Sequence, residues 1–200
     1  MILQRRNLLF AISFCLLLVG GLFLKAVFQK ESGYGTTGGF DIGGAFKMTA
    51  TDGRQVNEGS WPGKLLLITF GYRFCPDVCP TNLQAMAATL DLLGADAERV
   101  QPLFITIDPE RDSREAMAAY VALFHPRMIG LTGTKEEVAT VAKTFRVYYR
   151  KVENADPINY SVDHSAFTFL TDDHGIVHKL FSHNTPPQQM ATGIKDYLQR

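Results

Sequence analysis

The sequence predicts an α/β domain built on a central mixed sheet, and three observations carry that prediction. Apolar runs over residues 65–70 and 100–107 read as buried strands. Between and after them, apolar residues recur at helical spacing: Leu83, Met86, Ala87, Leu90 and Leu93, then Met117, Tyr120, Val121 and Phe124. A closing hairpin and final helix complete the alternation expected of a sheet covered by helices.

The first element is an apolar run over residues 8–28, preceded by Arg5 and Arg6 and broken only by Lys25. That length crosses a hydrocarbon core of about 30 Å as a helix. No small-residue cleavage site follows residues 22–25, and bulky Phe14 before Cys15 argues against a lipoprotein cysteine. The run therefore reads as an uncleaved anchor, with residues 1–30 forming a cytoplasmic stub and transmembrane helix. Cys15 is then a small apolar residue within it. Arg5 and Arg6 favour an inside N-terminus, although Lys25 and Lys30 flank the other end. Paired cysteines further along suit the outer, oxidising side and decide the orientation. The short stretch before the run suggests a bacterial inner membrane, with the folded domain in the periplasm.

Residues 31–42, rich in Gly and Thr, read as a flexible linker, and residues 43–200 as the folded domain. Asp52-Gly53, between residues 46–50 and 55–56, signals an N-terminal β-hairpin. Ser113 caps the second helix, which stops at His125-Pro126. Residues 128–131 form a short strand, and Thr134 with Glu137 makes a capping box for a helix through Phe145. Residues 147–152 and 167–170 read as strands, Asp173-His174-Gly175 as a turn into residues 176–181, and Pro186-Pro187 as the opening of the last helix.

Lys+Arg and Asp+Glu both number 20, so the chain is formally neutral and lacks the basic excess expected of a nucleic-acid binder. Chemistry concentrates instead at Cys75-Pro76-Asp77-Val78-Cys79, directly after the first buried run and before Pro80, a residue suited to a first helical turn. The helix dipole stabilises a thiolate there, favouring either a redox nucleophile or a metal ligand. Three intervening residues rather than two weaken the ordinary dithiol redox reading without removing it. Two thiolates underfill a structural zinc site, whereas Cu(I) accepts two or three soft donors.

A third donor could come from one of five histidines. His125 reads as a helix-end residue, and His174, His178 and His183 as surface residues. His164, in Ser161-Val162-Asp163-His164-Ser165, enters an apolar strand with Asp163 as a possible orienting neighbour. Taken alone it reads as a loop histidine rather than a ligand. Asp77 reads as a turn residue that could instead bond a backbone N–H or meet a partner's basic group. Asp108, ending a buried strand near the mouth of the sheet, and Asp112 could shape the pocket or cap the next helix, with capping ahead for Asp112.

Residues 70–81, Phe-Gly-Tyr-Arg-Phe-Cys-Pro-Asp-Val-Cys-Pro-Thr, resemble the signature of the Sco/SenC family of membrane-anchored copper proteins. Ile107-Asp108-Pro109-Glu110-Arg111-Asp112 resembles that family's second motif, and Val162-Asp163-His164-Ser165 its third, in the same order. The resemblance implies a thioredoxin-like domain holding one copper ion through Cys75, Cys79 and His164. It implies delivery of copper to the CuA centre of cytochrome c oxidase, with the subunit carrying that centre as partner and other copper chaperones as further contacts. Arg73 stands where many members carry a smaller polar residue and adds a positive charge beside the site.

The alternative is a thiol–disulfide oxidoreductase that keeps a partner's CuA cysteines reduced, acting through the Cys75/Cys79 pair. Such enzymes usually place a proline before the strand facing the redox loop; here Val162-Asp163-His164 occupies that place. A peroxidase of the same fold needs a Thr or Ser helper before its cysteine, which this loop lacks.

Overall fold

A computed structural model describes residues 42–152 and 160–199 of the chain. The stub, the anchor and nearly all of the linker expected over residues 1–42 lie outside the described residues. Among the described residues no helix is long and apolar enough to cross a membrane.

The chain runs β1 (Lys47–Ala50), β2 (Gln55–Asn57), β3 (Leu65–Gly71), α1 (Val78–Leu93), β4 (Val100–Thr106), α2 (Arg114–Ala122) and β5 (Ile129–Thr132). It continues through α3 (Lys135–Thr144), β6 (Tyr149–Lys151), β7 (Val162–His164), β8 (Thr168–Thr171), β9 (Val177–Phe181) and α4 (Pro187–Leu198). Seven strands form one sheet in the order β2-β1-β5-β4-β3-β8-β9. Parallel β3–β4 and β4–β5 pairs adjoin antiparallel β3–β8 and β8–β9 pairs, so the sheet is mixed. This is the mixed-sheet α/β architecture that the sequence predicts, thioredoxin-like as the resemblance implies, with the expected hairpin of β1 and β2 added at one edge.

Every residue of β3 and of β4 is buried, as parallel strands covered on both faces must be. Helix α1 packs on α4, α2 on β5, and α3 beside β1. Phe46, Phe70, Phe145 and Phe169 form a ring cluster with centroids 5.3–6.5 Å apart. Local signals act as predicted. Gly53 takes φ 90° in the hairpin turn, where a side chain would be strained. The Ser113 side chain accepts from the Ala116 N–H, and both halves of the Thr134/Glu137 box are made.

Three expectations are corrected. The strand expected over residues 147–152 begins only at Tyr149. The Val147 N–H instead closes the end of α3 on the Ala142 carbonyl at 2.8 Å, with Arg146 at φ 50°. His178 is partly buried and paired rather than facing open water: its Nε2 lies 2.9 Å from Asp172 Oδ2 and 2.8 Å from Tyr197 Oη, tying β9 to α4. His183 is half-buried, its Nδ1 2.8 Å from Oδ1 of the buried Asn82 on α1. His125 caps its turn by accepting the Arg127 N–H, and His174 is exposed, both as expected.

Candidate metal centre

Strand β3 carries the chain through the sheet and releases it at Tyr72, so residues 72–77 form a loop at its carboxyl end. Helix α1 then starts at Val78, which puts Cys79 in the first turn and Cys75 just before it. The Cys79 N–H points at Cys75 Sγ over 3.4 Å, giving that sulfur the electropositive end of the helix. Both cysteines are free thiols, Cys79 buried and Cys75 partly exposed.

Their environments divide them. The hydrogen bond from the Cys79 thiol holds Cys75 well below the usual thiol range, against the cost of partial burial, with His164 assisting. The same hydrogen bond, followed by burial, pushes Cys79 far up. The pair is thereby split, the partly exposed sulfur pushed toward the thiolate and the buried one toward the thiol.

His164 arrives on β7, which pairs antiparallel with β6 in a two-stranded ribbon outside the seven-stranded sheet. Its Nδ1 lies 2.9 Å from the Ser165 carbonyl, and since a carbonyl only accepts, Nδ1 carries the proton. Nε2 is thereby left with its lone pair toward the cysteines, 3.4 Å from Cys79 Sγ. Burial works against a charged ring, but the Cys75 sulfur and the Ser165 carbonyl outweigh it and raise the His164 pKa. Asp163 does not orient this ring; it turns outward to Arg150 at 3.6 Å. The backbone carbonyl takes the role that the sequence suggested for Asp163.

The three donor atoms of Cys75, Cys79 and His164 lie within 4.8 Å of one another. An ion bonded to sulfur and imidazole at about 2.0–2.3 Å in a trigonal plane needs donors about 3.7 Å apart. A closure of about 1 Å therefore suffices, and the soft donor set matches Cu(I) rather than a hard cation.

Beneath the loop lies a buried polar layer, and there Asp112 takes the pocket-shaping alternative rather than the preferred cap. Asp112 is not a helix cap, since Ser113 holds that position. It is fully buried, accepting the Thr106 hydroxyl at 2.7 Å and the Arg73 N–H at 3.2 Å. Burial raises its pKa despite those two hydrogen bonds. The Arg73 guanidinium turns back toward this carboxylate, Nε to Oδ1 3.8 Å, and lies 4.4 Å over the Phe74 ring. Asp77 is exposed and makes no capping hydrogen bond through its side chain. Two residues to which the sequence assigns no role, Tyr72 and Tyr160, are buried, Tyr72 edge-on to the His164 ring and Tyr160 on Asp108 and Arg111. Tyr72 lies inside the first quoted motif and Tyr160 two residues before the third, which is the signal that could find them.

Gly71 is required by close approach rather than by backbone twist. A methyl group there would lie 2.4 Å from Cys79 Sγ and 2.8 Å from the Phe104 ring. Gly71→Ala should therefore cost about 1–3 kcal/mol in urea denaturation, as overpacking does. It should also displace Cys79; unchanged stability would contradict the packing described.

Comparison with known proteins places this geometry. The family model described as SCO1/SenC matches residues 35–199. The chain is 38% identical to the protein sco1 of Schizosaccharomyces pombe over 172 residues, 84% of this chain and 65% of that protein. It thus spans just under two thirds of that relative's length. The crystal structure of Arabidopsis thaliana ScoI with copper bound superposes with a TM-score of 0.74 at 38% identity, covering 80% of this chain and 99% of that one. Bradyrhizobium japonicum ScoI with copper bound gives 0.72 at 40% identity, covering 78% and 99%. The chain belongs to the SCO1/SenC family.

Proposed function

We propose that this chain is a copper carrier that serves assembly of cytochrome c oxidase, holding one ion between Cys75, Cys79 and His164. The observation that carries the proposal is the convergence of two thiols and an imidazole lone pair within 4.8 Å at a helix N-terminus. Family membership supports the reading, because two members of known structure hold copper. Cys75 and Cys79 supply the soft donors that retain Cu(I), and His164 adds the nitrogen that Cu(II) prefers. Copper leaves by ligand exchange with thiols of the oxidase subunit that carries CuA. Residues 1–30 anchor the chain in the inner membrane, residues 31–42 tether it, and residues 43–200 work on the outer face. The thiol-reductant reading is less well supported, because Val162-Asp163-His164 stands where such enzymes usually place a proline before the strand facing the redox loop.

The test is a titration of the reduced full-length chain in detergent with Cu(I) against a competing chelator. Binding of one copper per chain is the expected result, and saturation at a negligible fraction would reject the carrier role.

A further inference from the structure

The cysteines and the histidine ride on different pieces of the fold. Cys75 and Cys79 follow β3 in the seven-stranded sheet, whereas His164 sits on the separate β6–β7 ribbon. On its carboxyl side His164 is tied down four residues later, where β8 joins the sheet at Thr168. On its amino side β7 is laddered to β6, and its tie to the segment carrying the cysteines is made by side chains, most of them gathered at one residue.

Arg111 is that residue. Its guanidinium stacks 3.5 Å over the Tyr160 ring, 4.8 Å from the centre of Phe74 and 5.6 Å from that of Tyr72. Two of these rings belong to the segment carrying the cysteines and one to the segment carrying His164. Arg111 Nη1 also donates to the Tyr160 carbonyl at 2.9 Å, while Nε pairs with the buried Asp108. Asp108 in turn accepts the Tyr160 hydroxyl at 2.7 Å. The Tyr72 hydroxyl, from the cysteine segment, accepts the Val162 N–H at 3.2 Å, and the Tyr72 ring meets His164 edge-on at 6.0 Å. One planar cation thus grips both segments through its faces and through its fork of N–H groups, a combination open to arginine and not to lysine.

We propose that Arg111 is a positioning residue that sets the reach of His164 toward the thiols, and through it the site's preference between Cu(II) and Cu(I). The inference rests on the copper reading given above. Loss of the clamp leaves Cys79 in the first turn of α1 and Cys75 still held by the Cys79 N–H, so Cu(I) keeps its donors. The imidazole loses its fixed approach, and Cu(II) loses the nitrogen it favours.

The experiment measures Cu(I) and Cu(II) affinities of the full-length wild type, Arg111→Ala, His164→Ala and the double variant, with electron paramagnetic resonance of the Cu(II) forms. Arg111→Ala should lower Cu(II) affinity about 10–100-fold, the range seen when an outer partner of a metal ligand is lost. Cu(I) affinity should stay within about threefold, and nitrogen hyperfine coupling should weaken. In the His164→Ala background, Arg111→Ala should change nothing further, which a merely stabilising role would not produce. Equal losses for both oxidation states, or an additional Cu(II) loss without His164, would overturn the inference.

A metal-free readout keeps it independent of the copper reading. The nuclear Overhauser contact between the Tyr72 and His164 rings should be present in wild type and lost in Arg111→Ala. If that variant fails to fold, Arg111→Lys and Tyr160→Phe should each weaken the contact, and its full retention in both would overturn the proposal. Wild type that binds no copper yet loses the ring contact on substitution rejects the carrier reading alone.

Discussion

Replacing both thiols, Cys75→Ser and Cys79→Ser, is expected to abolish stoichiometric Cu(I) binding while leaving the fold intact. The two sulfurs are the only soft donors among the described residues of the group, and a hydroxyl offers a harder, protonated oxygen in their place. Folding should survive because Cys75 is partly exposed and Ser is close in size to Cys. At buried Cys79 the substitution leaves one hydroxyl within reach of His164 Nε2, a polar partner already in place. Circular dichroism and a Cu(I) chelator competition on the same sample separate the two quantities. Copper affinity unchanged in a folded double variant would remove the sulfurs from the site.

The second large effect belongs to His164→Ala. Cu(I) should remain bound by the thiol pair with a modest loss, whereas Cu(II) affinity should fall by more than the roughly 10–100-fold that loss of an outer partner costs. The asymmetry follows from donor preference: Cu(I) is satisfied by two thiolates, and Cu(II) gains more from an imidazole nitrogen. The Ser165 carbonyl already fixes the tautomer, so the nitrogen is presented to the metal without rearrangement of its proton. A Cu(II) titration followed through the sulfur-to-copper absorption band reads the effect directly. Parallel loss of both oxidation states would mean that the ring shapes the loop instead of meeting the metal.

The architecture was legible wherever a local signal and the tertiary outcome agree. The apolar run of β3, the Asp52-Gly53 turn, the Ser113 cap and the Thr134/Glu137 box each fix a local conformation that packing then keeps. The cysteine loop was legible for the same reason, since a buried strand followed by Pro80 announces a strand-to-helix turn. The ribbon is legible only in part: β6 lies inside the run read as a strand over residues 147–152, whereas its partner β7 is three residues long and carries no period to read. Asp112 looked like a cap because an Asp ahead of Ser-Arg-Glu suits that role, and only the fold reveals Thr106 and the Arg73 N–H closing around it. His178 and His183 were misread because their partners, Asp172 with Tyr197 and Asn82, come from other turns and helices. Propensity says where a polar residue can be exposed; pairing decides whether it is.

The sequence separation inside the site has a consequence for how the protein matures. Cys79 and His164 stand 85 residues apart, and β3 reaches its partner β8 only after a comparable length of chain. During synthesis the thiol pair emerges long before the imidazole, and α4, whose packing steadies the helix that bears Cys79, comes last. No early fragment holds all three donors. A chain loaded before completion would present copper to bare thiols alone, so capture in the finished geometry has to wait for release of the whole domain.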